Sequence, residues 1–463
     1  MKVVLADLKG ADGFVHKDTV VGGYGARLRP LSRVTSLAAA LRRRLSDVPS
    51  ITMGYLAAIL AQAGHEVAFT REDVVDGDVA LVLSSLVDHR REAAWADRAR
   101  AQGTRVGFVG LAASKLPDLF LDHSDFLVYG EPEEAVQRLA GGEQMSGIVH
   151  SRELALLDAL PLPRWDLLGA LGPRSSWGSW TRPLGGLPVL ASRSCPEFCT
   201  YCPHRILSAY RARSVGSILE ELEMVCRLRP EPFVIFRDPL FSYDRERCLE
   251  LAGAIAARGL RLRFECETRL DRLDDELLEA LARAGCANIT FGVESLSPEA
   301  LRRMGRRPIP EDQQRHVIQS CDRLGIRTVA FYVLGLPTDT WDSIAATIDY
   351  SIRLGSTLAQ YKLLTVYPGT PLWKQLRTSV FEKDWERFDG FTPTFTHPSL
   401  SARELQFLLT AAWSRFYLRP SFFAKLWQLD PGWAHRLAGR LDGAVSGLHA
   451  RQEAALMSRP VAC

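Results

Sequence analysis

Three cysteines fall within eight residues of the stretch SRSCPEFCTYCPHR (192–205): Cys195, Cys199 and Cys202, spaced C-x3-C-x2-C. A structural zinc site takes four protein ligands and a disulfide takes two, so three thiolates suit neither. The nearest further cysteine, Cys226, stands well downstream in a helical pattern. A cubane iron-sulfur cluster resolves the count, because three cysteines hold three irons and leave the fourth open to a substrate or cofactor. The competing arrangement, zinc completed by His204, has poor spacing for a zinc site.

Composition narrows the setting. The chain has 463 residues, 47% hydrophobic and 24% charged, with a net charge of +3. That is a globular chain longer than one ordinary domain, with no general argument for nucleic acid. Residues 27–45 are locally basic and read as a solvated, Arg-rich amphipathic helix in preference to a phosphate-binding surface. Asp7 and Asp12 interrupt the N-terminal apolar region that a signal peptide needs, and no apolar run reaches the length of about 20 residues for a membrane span. A cytoplasmic protein is expected. There, Cys226, Cys248, Cys266, Cys286, Cys321 and Cys463 read as ordinary thiols.

The elements that must position the cysteines follow from periodicity. Strands are expected at 2–7, 79–85, 104–110 and 124–130, with helices at 53–64, 91–103 and 133–142. Such alternation implies a parallel sheet covered on both faces, with ligands beyond the carboxyl ends of the strands. Small residues stand at three of those ends: Ser84 and Ser85, Gly110, and Gly130. Residues 150–186, rich in Pro and Gly, read as a connector that packs through Trp165, Trp177 and Trp180. Six further strands are expected at 187–193, 232–238, 260–266, 287–294, 326–335 and 359–367, each followed by a helical pattern. Six such units suggest a partial (β/α) barrel, and the cysteines follow its first strand directly. After about residue 376 the aromatic-rich pattern reads as a helical cap, with an amphipathic surface for membrane or partner as the weaker option. No fixed-period repeat or low-complexity tract is present.

CPEFCTYC, with Tyr201 before the third cysteine, resembles the CxxxCxxC signature of the radical S-adenosylmethionine (SAM) enzymes. Further segments, FRDPLFSYDRERCLELAGAI, FECETRLDRLDDELLEALARAGCANITFGVESLSPEALRRM, FYVLGLPTDT and YPGTPLW, resemble the subgroup that carries a cobalamin-binding domain in front. The resemblance implies a [4Fe-4S] cluster on Cys195, Cys199 and Cys202, with SAM chelated at the open iron and Tyr201 flanking its adenine. It carries Glu267 and Arg269 onto positions that hold the ribose and carboxylate of SAM, and Asp238 onto one for its ammonium. Pro239 stands where the family has a second Asp, which puts that carboxylate's role in doubt. Glu294 has two readings of equal weight, a SAM contact or a helix N-terminal or barrel-mouth carboxylate.

The first 142 residues are similar to a cobalamin domain, in which Ser84, Ser85, Gly110, Gly130 and Glu131 would cradle the nucleotide tail; a flavodoxin-like domain that has lost its ligand is the alternative. The Asp-x-His-x-x-Gly motif that gives cobalt a histidine is absent, so His16, His65, His89 and His123 read as packing or surface residues. The implied architecture is a Rossmann/flavodoxin-like cobalamin-binding domain (1–149), a linker (150–186), a partial (β/α)6 TIM-type radical SAM barrel (187–375) and a helical C-terminal cap (376–463). The implied activity is radical methyl transfer from methylcobalamin to an unactivated carbon or phosphorus, after one SAM methylates the cobalamin and a second yields the 5′-deoxyadenosyl radical. The implied partners are a small natural-product or lipid substrate and a reductase or flavodoxin-type electron donor. The alternatives are a cyclisation, ring contraction or oxidation with the same cofactors, and a non-catalytic cobalamin or cluster sensor.

Overall fold

The computed structural model describes residues 1–9, 14–17, 23–28, 48–169, 186–422 and 424. Most of the basic stretch, Asp12, Trp177, Trp180 and the end of the expected cap lie outside the described residues. Two six-stranded parallel sheets organise the rest. The first contains Lys2–Ala6 (β1), Glu66–Thr70 (β2), Val79–Leu83 (β3), Arg105–Val109 (β4), Phe126–Tyr129 (β5) and Gly147–His150 (β6). Their order is β2-β1-β3-β4-β5-β6. This is the flavodoxin-like order with one added strand, and it places a ligand crevice where the order reverses, beyond the ends of β1 and β3. β3, VALVL, is buried at all five positions. Such a run forms a central parallel strand because helices cover both its faces.

The helices of this half are Ile51–Gln62 (α1), His89–Ala101 (α2), Leu111–Lys115 (α3) and Pro132–Ala140 (α4). α1 starts where Ser50 Oγ accepts from the Met53 N–H, and it is buried around most of its circumference. A helix apolar on all sides belongs between layers. Its Tyr55 hydroxyl donates to Glu221 of the second half. A β-carbon on its Gly54 would lie 2.8 Å from the Trp165 ring, and Trp165 is fully buried.

The second sheet contains Gly186–Val189 (β7), Phe233–Phe236 (β8), Arg263–Thr268 (β9), Cys286–Glu294 (β10), Arg327–Leu334 (β11) and Leu358–Leu363 (β12), paired in sequence order. β7 and β12 stay unpaired with each other, as in an open barrel. Helices Val215–Leu228 (α5), Arg245–Ala257 (α6), Asp275–Arg283 (α7), Pro298–Arg303 (α8), Glu311–Arg323 (α9) and Trp341–Leu354 (α10) connect the strands. Pro371–Leu376 (α11) and Ala402–Tyr417 (α12) follow them. One apolar core runs from Val3 in β1 to Phe416 in α12, so both sheets share it.

Three expectations are corrected. β2 and β6, the edge strands of the first sheet, are additional to the four strands expected there. The expected first barrel strand stops at Val189, and Ser192–Arg193 instead pairs antiparallel with Arg211–Ala212. Residues 380–400 are turns, a short 3-10 helix at Trp385–Arg387 and one Val380–Phe395 bridge, with the α-helix of the cap beginning at Ala402.

Candidate active site

The cysteine loop leaves β7 through Ser194, whose φ of 66° is left-handed. A serine adopts this region at some cost, which the surroundings must offset. The Ser194 hydroxyl lies 3.0 Å from the carbonyl of His204 and 2.8 Å from that of Ser208, drawing the two ends of the loop together. Arg205 donates to the carbonyls of Pro196 and Glu197 at 3.2 and 3.3 Å. From below, the Thr200 N–H donates to Met304 O at 2.9 Å. A β-carbon on Gly305, which has a φ of +69°, would lie 2.6 Å from Phe198 O. Glycine is therefore required there both for its backbone angle and for the close approach of the loop.

Cys195, Cys199 and Cys202 are free, half-buried thiols. Burial pushes Cys195 up to about 11, helped by Cys199, and pushes Cys202 further in the same direction. Cys202 responds to both other thiols, so the three share one electrostatic environment. Thiols buried together demand a cationic partner if they are to be thiolates. Among the described residues, no three of His, Cys, Asp and Glu are gathered tightly enough for a single metal ion. A zinc completed by His204 is therefore unsupported. A cluster takes one thiolate per iron, and three cysteines on one loop supply that donor set.

Charged groups converge on the same point from the strand ends. Arg306 Nη1 lies 3.9 Å from Cys199 Sγ, and Nη2 lies 3.4 Å from Glu294 Oε1 and also donates to Gly292 O. Tyr201 hydrogen-bonds Glu294. Glu294 itself sits at the end of β10 with a φ of 66°. α8 is capped by Ser297, so Glu294 is no helix cap but a barrel-mouth ion pair. A β-carbon on Gly292 would meet the Glu294 carboxylate and the Arg306 guanidinium, so a side chain there would displace that ion pair. Glu267, on β9, is pushed up to about 7 by burial, with Arg237 opposing and Glu294 adding to the shift. Arg269 forks onto Asp271 with two bonds of 2.9 Å and donates to Arg307 O. Its Nη1 is buried without a partner. A buried orphan N–H on a guanidinium is a donor held ready for an acidic ligand, such as the carboxylate of SAM.

Asp238 is employed differently. Its carboxylate accepts from the Ala191 N–H at 3.0 Å and from the Ser192 hydroxyl, locking the start of the cysteine loop. The side chain is buried there, with one bond on each oxygen.

The first sheet also departs from expectation. Ser84 Oγ donates to Val109 O and accepts from Ala113 N, while Ser85 donates to Glu92 through its N–H and its hydroxyl. Both hydroxyls are occupied within the protein. Gly130, at a φ of +107°, keeps clear of Ser151 O, 2.8 Å from where its β-carbon would stand. Glu131 is ion-paired with Arg193 at 3.0 Å and with Arg211, both from the ribbon leading into and out of the cysteine loop. Glu133 adds a second bond to Arg193 at 2.7 Å. Of the five, Gly110 and Glu131 line the cleft between the halves. Ile51, Thr52, Leu83, Leu111 and the buried Lys17 line it on the same side. Ser192, Arg193, Ser194, His204, Arg237 and Pro239 face them. Such a cleft, apolar with a few fixed polar groups, fits a cofactor held between a flavodoxin-like sheet and a barrel mouth. His65, His89 and His123 bond Ala140 O, Leu86 O and Asp97, as packing and surface residues do.

The comparisons agree with this geometry. Residues 189–351, from the end of β7 into α10, match the radical SAM superfamily. That segment of the chain is a radical SAM domain. An uncharacterized methyltransferase of Pyrococcus horikoshii is 26% identical over 323 residues, covering 65% of this chain and 69% of its own. The bacteriochlorophyllide d C-12(1)-methyltransferase of Chlorobaculum tepidum is 25% identical, covering 72% and 73%. The matched domain and these relatives together support a radical SAM enzyme of the methyltransferase type, with SAM and an iron-sulfur cluster as cofactors. Its fold is similar to that of the radical SAM methyltransferase TsrM of Kitasatospora setae, solved with cobalamin and a [4Fe-4S] cluster bound. The TM-score is 0.59 at 16% identity, with coverage of 81% and 77%.

Arg306, Gly292 and Arg193 were not singled out by the sequence reasoning. Arg306 had a signal, the run RRMGRR at 302–307, whose central glycine marks a tight approach.

Proposed function

We propose that this chain is a cobalamin-dependent radical SAM methyltransferase acting on a small molecule. The observation that carries the reading is the convergence of three cysteines, Tyr201, Arg306, Glu267 and Glu294 at a barrel mouth. That mouth faces the carboxyl ends of a flavodoxin-like sheet across one cleft. When bound, the cluster supplies the electron that cleaves SAM, and cobalamin supplies the methyl carrier.

Cys195, Cys199 and Cys202 would hold the cluster. The Arg269 Nη1–H meets the SAM carboxylate, and Glu267 accepts from its ribose hydroxyls. The Glu294–Arg306 pair keeps a cation beside Cys199. Tyr201, tethered to Glu294, closes one side of the adenine site. On the opposite wall, Gly110 permits close backbone approach to the cobalamin, and Arg193 bridges the first half to the cluster loop. When cofactors supply the reactivity, the protein's main task is to bind, orient and keep quenching reactions out.

A small-molecule substrate is supported by the relative named for bacteriochlorophyllide d. The test is anaerobic reconstitution with iron, sulfide and cobalamin, followed by methyl-labelled SAM, a reductant and candidate acceptors. Methyl transfer yields S-adenosylhomocysteine and 5′-deoxyadenosine together. Deoxyadenosine alone would indicate a cyclisation or oxidation, and neither product would end the reading.

A further inference from the structure

The inward face of the barrel follows from its register. Paired residues of parallel strands share a face, and three rows cross β9 to β12: Glu267, Thr290 and Val329; Gly292, Phe331 and Gln360; Val333 and Lys362. The alternate residues, such as Ile289, Ala330 and Tyr361, lie in the apolar core under the helices. In an ordinary (β/α) barrel the interior is filled by branched side chains. Here the residues of the three rows are only half-buried while their neighbours along each strand are buried, so the interior keeps a chamber.

The walls of this chamber differ in chemistry. β11 presents Val329, Phe331 and Val333, and Phe331 belongs to none of the buried apolar cores. β12 presents Gln360 and Lys362, two donors on one face. A loop seats the stem of Lys362: a β-carbon on Gly390, at a φ of +82°, would stand 3.0 Å from Lys362 Cδ, and the Leu363 N–H donates to Gly390 O at 2.8 Å. The Lys362 ammonium acts on both Glu267 and Glu294, which puts its charge near the mouth. Two carboxylates of the same space are engaged, Glu294 by Arg306 and Glu265 by Asn288.

We propose that the chamber binds an organic acid with an apolar body, its carboxylate held by Lys362 and Gln360 and its body lying along Phe331. Lys362 is then a specificity-determining residue of the acceptor site. The inference rests on the methyltransferase reading above, which makes the chamber the place of the acceptor. An ammonium beside an amide offers a carboxylate one charge-assisted bond and a second donor, and the apolar wall next to them disfavours a small hydrated anion such as phosphate. The charge of the acceptor thus follows from β12 and its bulk from β11.

Equilibrium dialysis of the reconstituted full chain tests this with a matched pair of probes, 4-phenylbutyrate and 4-phenylbutyramide. Wild type should bind the acid about tenfold or more tightly than the amide. Lys362→Met and Lys362→Gln should both abolish that preference with SAM binding and cluster absorbance at the wild-type level. Lys362→Arg should retain the preference, and Phe331→Ala should weaken both probes together. Equal binding of acid and amide by wild type would overturn the proposal, as would an acid that does not bind or a preference that survives loss of the ammonium. Loss of SAM binding in Lys362→Met would assign the residue to the SAM site and overturn it likewise. The methyltransferase reading fails separately, when wild type makes neither S-adenosylhomocysteine nor 5′-deoxyadenosine, because the dialysis needs no turnover.

Discussion

Arg269 places its guanidinium by a two-bond fork to Asp271 and keeps one N–H buried without an acceptor. Lysine cannot reproduce both the fork and the spare donor. Arg269→Lys should therefore weaken SAM binding by about tenfold or more, measured by equilibrium dialysis, while cluster absorbance stays at the wild-type level. Glu265, two residues before Glu267 on β9, lies in the barrel interior and accepts from Asn288 at 3.2 Å. Burial raises its carboxyl to about 7 from the ordinary 4.5. The folded state thus binds the proton more tightly than the unfolded state, and ionising Glu265 destabilises the fold as pH rises from 4.5 through 7. Glu265→Gln removes that term, so the variant should exceed wild type by up to about 3 kcal/mol at pH 8, with the gap closing toward pH 4.5. Denaturant unfolding at both pH values checks this. The cysteines were legible because their spacing is local. For Asp238 and Glu131, type and position say nothing of partners: one locks Ala191 and Ser192, and the other meets Arg193 and Arg211 from a distant stretch of chain.

Among the elements, α1 shows how closely the layers fit. Gly54→Ala would press a methyl group against the Trp165 ring. Overpacking of this kind costs about 1–3 kcal/mol, and the loss should appear in the midpoint of urea unfolding. Strands β1, β3 and β8 were readable as continuous apolar runs, and the expected helices at 53–64, 91–103 and 133–142 lie within two residues of α1, α2 and α4. The two missed strands have a physical reason. β2 begins at an exposed Glu66 and is only partly buried, and β6 is four residues long, begins with glycine and is mostly exposed. Edge strands of this kind carry neither alternation nor an apolar run, and pairing with a neighbour alone defines them. Residues 380–400 escaped the helix pattern for another reason. Asp389 accepts from the N–H groups of Phe391 and Thr392, and His397 from those of Ser399 and Leu400, so side chains organise turns there.

At the scale of the molecule, the two halves are joined by buried charge as well as by a shared core. Glu131 and Glu133 are almost fully buried, and Arg193 serves both. Removing one partner of a buried pair strands the other charge, so Arg193→Ala should cost about 3–5 kcal/mol. The loss should appear as faster proteolysis between the halves and a lower unfolding temperature. Burial works to raise the Glu131 carboxyl, but Arg193 and Arg211 outweigh it and hold the group below its usual range. The stabilisation from this pair is therefore present above pH 4.5 and lost as pH falls through the lowered value. The same bridge limits modular exchange. Arg193 stands two residues before Cys195, and its counterions belong to the start of α4. A chimera that grafts another N-terminal half onto this barrel would inherit an unpaired cation beside the cysteine loop. Such a graft should fold and assemble its cofactors only when acidic residues at positions 131 and 133 travel with it, so the junction for engineering lies at these three side chains and not at the connector.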